Sequence, residues 1–138
     1  NAGNDVWGRR KLGVVVVKTS GKIELVDSMN TIKDPSINTN FNIKDDCFDD
    51  INSSATFNKY YMAHQDDELN DKCKRCIIKN ICGGGLLSHR YSSKNKFDNP
   101  SCYCEDIIKI VMHIQNILYD RLNLSKYDCE KLTKSDFL

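Results

Sequence analysis

Four cysteines define the chemistry open to this chain. Cys73-x2-Cys76-x5-Cys82 places three thiols close together, and Cys104 follows further along. Iron–sulfur clusters need several thiolates converging on one point, and short cysteine spacings achieve this because the turning chain wraps the inorganic core. Structural zinc also takes four thiolates in a tetrahedron. A zinc ribbon pairs two Cys-x2-Cys knuckles, however, and the second half here, Cys82 to Cys104, has no knuckle. The spacing favours metal binding over free or paired thiols and leaves iron–sulfur and zinc both open. Gly83-Gly84-Gly85 follows Cys82 directly. These glycines exclude regular structure, let the backbone approach the sulfurs, and offer them N–H donors.

The remaining cysteines read differently. Cys102 and Cys104 are two apart on an extended entry and point opposite ways, so Cys102 is a bystander. Cys47 and Cys129 are incidental. Seven cysteines is an odd count, whereas a secreted disulfide framework favours an even one together with a leader. A disulfide-stapled secreted domain is therefore the weakest of three readings, behind an iron–sulfur site and a zinc-stabilised four-cysteine structural or interaction module. A reducing, cytoplasmic setting is expected. No apolar run has bilayer length. With 20 basic and 19 acidic residues, for a net charge of +1, the chain lacks the basic excess of a nucleic-acid binder.

The elements that must position the cysteines suggest one α+β domain over residues 1–138: a small β-hairpin or sheet, a helix, a Cys-rich metal loop and a long C-terminal amphipathic helix. Val14, Val15, Val16 and Val17 form a strand, Gly21 permits the turn, and Ile23-Glu24-Leu25-Val26 returns as its partner. Four valines without alternation predict burial on both faces or packing beneath another element. Residues 28–54 read as a long irregular connection with a turn at Asp34-Pro35 and a short strand near Phe41. A helix is expected over residues 55–69, with Phe57, Tyr60, Tyr61 and His64 on one face. The acid run Asp66-Asp67-Glu68 reads as a solvated helix face.

The long helix begins near Glu105, with Ile107, Ile108, Val111, Ile114, Leu118 and Leu122 in one stripe widened by Ile110 and Ile117. Its positive end would favour the Cys104 thiolate. Asp98-Asn99-Pro100-Ser101 reads as its turn and N-cap. His113 lies off the stripe, and Ser125 caps a final short helix carrying Leu132. Asn1 and Ala2 read as a cloning scar on an excised piece.

The cysteine string resembles a SPASM domain, the C-terminal auxiliary iron–sulfur domain of radical SAM enzymes that modify peptides and proteins, including anaerobic sulfatase-maturating enzymes. The resemblance runs from the hairpin to Leu122. It is most specific in Cys73-Lys74-Arg75-Cys76, Cys82-Gly83-Gly84-Gly85, His89-Arg90-Tyr91, Phe97-Asp98-Asn99-Pro100-Ser101 and Tyr103-Cys104. This string is similar to the subset described as peptide maturases or arylsulfatase regulators. Two departures are coherent. The family carries a further cysteine after three intervening residues, at the position of Leu86, and another in the second hairpin strand, which here reads Ile23-Glu24-Leu25-Val26-Asp27. Both belong to a different cluster, so the resemblance implies that cluster is missing.

What remains implies one [4Fe-4S] cluster on Cys73, Cys76, Cys82 and Cys104, with zinc or an empty site after aerobic preparation. The Cys-x3-Cys-x2-Cys motif that binds the SAM-cleaving cluster is not in the sequence. SAM therefore belongs to an upstream radical SAM barrel of the same protein, and this fragment alone is not catalytic. The implied partners are that barrel and a peptide or protein substrate, with no nucleic acid and no membrane.

Overall fold

Gly21 reverses the first strand. Its φ of 87° lies in the left-handed region, and a Cβ there would come within 2.6 Å of Asn42 Oδ1; both conditions select glycine. In a computed structural model describing residues 14–63, 66–127 and 129–137, β1 (Val16–Val17) pairs antiparallel with β2 (Lys22–Glu24), aligning Val17 with Ile23. β3 (Phe41–Asn42) joins the other edge of β2, aligning Phe41 with Ile23. The order is β1-β2-β3. Ile23 on the central strand is buried, but Val14 and Val17 are 46% and 44% exposed. The valine run is therefore not buried on both faces: β1 is an edge strand, and Val15 packs against the core while Val14 and Val17 are exposed.

The connection after β2 is more ordered than its composition suggests. It holds 3₁₀ turns at Asp27–Thr31 and Pro35–Ile37, then β3, then α1 (Phe48–Ser53). The Cys47 N–H at the start of α1 donates to Asp50. α2 (Ala55–Met62) starts where the Ser54 hydroxyl accepts the Phe57 N–H. Ile23, Leu25, Met29, Ile51, Phe57 and Tyr60 build the main core, with the Phe57 ring between Phe41 and Tyr61 at 6.3 and 5.9 Å.

α2 stops well short of residue 69, and His64 lies outside the described residues. Two causes end it. Acidic side chains oppose the negative end of a helix, and the Ala63 carbonyl is taken by Arg90 Nη1 at 2.6 Å. A 3₁₀ turn follows at Asp66–Glu68, where Asp67 and Glu68 are exposed.

α3 (Asp71–Lys74) and α4 (Lys79–Cys82) are single turns in the cysteine stretch, and α5 (Cys104–Arg121) is the long helix. Ser101 does not cap α5: its hydroxyl accepts the N–H of Tyr103, which is itself the N-cap residue. Ile107 and Val111 pack on Ile78 in a second cluster. Ile110, Ile114, Leu118 and Leu122 remain exposed, as does His113. After a 3₁₀ turn at Leu124–Tyr127 the chain does not form the expected helix. Leu132 is non-helical because Gln115 Oε1 takes its N–H and Asn116 donates to its carbonyl. Among the described residues no helix is long and apolar enough to cross a membrane.

Asp34 joins the sheet half to the cysteine half. Its carboxylate accepts from Lys96 Nζ and the Tyr91 hydroxyl, each at 2.8 Å, and from the Ser36 N–H at 2.9 Å. The Lys96 ammonium, then the Ser36 and Tyr91 donors, hold its carboxyl well below the usual range. A lowered folded-state pKa stabilises the fold above the unfolded value of about 3.9 and is lost as pH falls through the depressed one. Asp34→Asn is expected to flatten the fall in urea-unfolding free energy on acidification below about pH 4. Parallel acid limbs for parent and variant would remove Asp34 from that role.

Candidate metal centre

The cysteine stretch is held at both ends. Asn70 accepts the Lys72 N–H at 3.0 Å to start α3, and its amide donates to the Asp98 carboxylate at 3.0 Å. Cys73 then lies in α3 with 9% exposure. The Cys76 N–H donates to the Cys73 carbonyl at 3.2 Å, so these two thiols leave one tight turn. Ile78 is buried beneath it, and α4 carries Cys82.

Gly83 ends α4 in the left-handed region at φ 59°, and Gly84 and Gly85 continue it at 86° and 73°. A Cβ on Gly84 would meet Leu69 at 2.9 Å, and one on Gly85 would meet Ser101 at 3.1 Å. The Gly85 N–H closes this curl onto the Cys82 carbonyl at 3.0 Å, and the Gly84 N–H favours the charged form of the Cys82 thiol. Cys104, the first residue of α5, reaches the same place from further along the chain.

Cys73, Cys76, Cys82 and Cys104 line one cavity of about 170 Å³. Lys72, Arg75 and Lys79 line it too, with Ile78, Ile108 and Phe137 on its apolar side. The volume exceeds the roughly 30 Å³ share of a single water several times. The structure thus brings all four sequence-selected thiols together, and leaves Cys47, Cys102 and Cys129 exposed and off the cavity. No disulfide joins any of the seven. Among the described residues, no group of three or more His, Cys, Asp or Glu side chains is arranged to hold a metal ion.

Burial pushes the Cys73 thiol from its ordinary 9.0 to about 11; Cys104 adds to the rise, and the Arg90 cation opposes it. Burial likewise raises Cys82, with the Gly84 N–H pulling back, and raises Cys104, with Lys72 pulling back. These thiols therefore hold their protons at neutral pH, and a bound cation must displace them. Two pKa units leave about a hundredfold less Cys73 thiolate to react. Brief maleimide treatment of the metal-free, reduced protein is expected to modify Cys47, Cys102 and Cys129 first. Mass spectrometry showing Cys73 labelled as fast as Cys102 would contradict the burial described here.

The sequence marks Arg90 only as part of the His89-Arg90-Tyr91 string and misses how much it does. Its guanidinium, 2% exposed, donates to the carbonyls of Ala63, Glu68 and Phe97 at 2.6, 3.0 and 3.0 Å. It thereby fixes the segment entering α3 against the one leading to Cys104. The His89 ring meets Tyr103 edge-on at 4.8 Å, and the Cys102 N–H donates to the His89 carbonyl at 2.9 Å. The cationic lining and Phe137 also escape a sequence reading, since both depend on contacts that leave no local pattern. No family model, curated protein or solved structure matches this chain.

Proposed function

We propose that this chain is an auxiliary iron–sulfur domain of a peptide- or protein-modifying radical SAM enzyme, holding one [4Fe-4S] cluster on Cys73, Cys76, Cys82 and Cys104. One observation carries the reading: four thiols, borne on α3, the turn after it, α4 and α5, line a single cavity together with Lys72, Arg75 and Lys79, against a single carboxylate, Asp136. The donor set fits a thiolate-ligated cluster, which is anionic overall and gains from neighbouring donors and positive charge. When bound, the cluster would supply a one-electron donor or acceptor.

The chain's own residues do the rest. Lys72 lies near Cys104 and Arg90 near Cys73, each offsetting thiolate charge. The Gly84 N–H offsets charge on the Cys82 thiolate, and the Gly85 N–H fixes the turn through the Cys82 carbonyl. With four cysteines present, full ligation favours electron transfer or scaffolding over direct substrate binding. SAM cleavage and the substrate peptide belong to an upstream barrel in a reducing, cytoplasmic setting, so the chain alone forms no deoxyadenosine from SAM.

Anaerobic reconstitution with iron and sulfide tests the proposal. The expected result is a brown protein with broad visible absorption and about four irons and four sulfides per chain. Stoichiometric zinc, with no iron–sulfur absorption after reconstitution, would replace this reading with a zinc-stabilised interaction module.

A further inference from the structure

The C-terminal residues run back along α5 instead of forming a helix. Gln115 holds them with both ends of its carboxamide, accepting the Leu132 N–H at 3.2 Å and donating to the Glu130 carbonyl at 3.3 Å. Asn116 donates to the Leu132 carbonyl at 3.2 Å. The Lys131 ammonium lies 2.7 Å from Asp120 and 5.6 Å from the centre of the Tyr119 ring. Beyond these moorings Asp136 accepts the Thr133 N–H and hydroxyl at 2.6 and 2.9 Å, closing the turn Lys134–Phe137.

That turn brings Phe137 to the thiols. Phe137 lines the cysteine cavity and packs in the same apolar cluster as Ile78, Cys76 and Cys82. Its neighbours Lys134, Ser135 and Asp136 are exposed, and Phe137 itself is half-buried. A half-buried aromatic side chain on an otherwise exposed turn adds little to a core, yet it covers the apolar side of the cavity. The moorings are single hydrogen bonds and an exposed ion pair, each worth about 1 kcal/mol or less. Such a segment opens far more readily than the domain unfolds.

We propose that residues 130–137 form a strap that closes over the thiol cavity and sets how fast reagents reach Cys76 and Cys82. Closed, Phe137 screens the two sulfurs from solvent; open, it admits the cavity's ligand. The regulatory sense of this rests on the cluster reading above, whereas the screening of the thiols does not.

Two measurements on the full chain separate these parts. Parent, Phe137→Ala and Gln115→Ala proteins are compared first in the reduced, metal-free state with N-ethylmaleimide, following each cysteine by mass spectrometry. Both variants should label Cys76 and Cys82 about fivefold faster than the parent, with Cys47 and Cys102 unchanged. The same proteins, reconstituted anaerobically, are then challenged with an iron chelator, and the visible band should bleach about fivefold faster in the variants. Labelling of Cys76 and Cys82 at the parent rate in both variants overturns the strap. So does an equal acceleration at all seven cysteines, which marks general loosening. A parent that labels as expected but never acquires a visible band fails the cluster reading and leaves the strap standing.

Discussion

Arg90→Met is expected to destabilise the domain by about 3–5 kcal/mol, the cost of leaving buried polar groups without their charged partner. The guanidinium serves carbonyls on three separate segments, at Ala63, Glu68 and Phe97, and methionine offers none of those donors. Arg90→Lys should recover little, because a single ammonium cannot reproduce a planar fork of donors. Urea unfolding monitored by far-UV circular dichroism measures the effect in metal-free protein. A loss under about 1 kcal/mol, the scale of an exposed interaction, would show that these contacts are replaced by water.

The second large effect concerns neighbours in sequence. Cys104→Ala is expected to cut cluster occupancy severalfold after anaerobic reconstitution, while Cys102→Ala retains parental loading. Cys104 lines the cavity and Cys102 is exposed off it. Metal-free, both variants should unfold within about 1 kcal/mol of the parent, since neither side chain is a core residue. Only loading should separate them, because ligand binding to the native state stabilises in proportion to affinity. Iron and sulfide analysis with melting curves, loaded and unloaded, gives both numbers. Loss of loading in Cys102→Ala with retention in Cys104→Ala would reassign the fourth ligand.

What can be read from the sequence is local. Gly21 between β-branched runs signals its hairpin because only a few residues tolerate that turn, and the stripe of α5 announces a helix through its period. The spacing of Cys73, Cys76 and Cys82 in a glycine-ended loop marks them as a group. Which apolar residues are covered is another matter. Val17 and Ile114 carry the same apolar signal as Ile23 and Val111, yet the first two are exposed and the last two buried. Periodicity reports a face, not what lies against it. The end of α2 escapes a local reading for a related reason: an arginine 27 residues away takes the Ala63 carbonyl, and no window of local sequence contains both. The C-terminal segment follows the same rule, its backbone claimed by Gln115 and Asn116 on α5.

The division of the four thiols between two parts of the chain also has a consequence for biogenesis. Cys73, Cys76 and Cys82 lie on α3, the turn after it and α4, whereas Cys104 opens α5, 22 residues beyond Cys82. A ribosome adding about 5–20 residues per second leaves an interval of about 1–4 s in which three ligands have been made and the fourth has not. Throughout it the nascent chain carries only three of the four cavity thiols, and the helix that begins at Cys104 has not been started. On the proposed cluster reading, full ligation would wait until α5 has been synthesised and docked, and cluster insertion would be a late event in the life of the new chain.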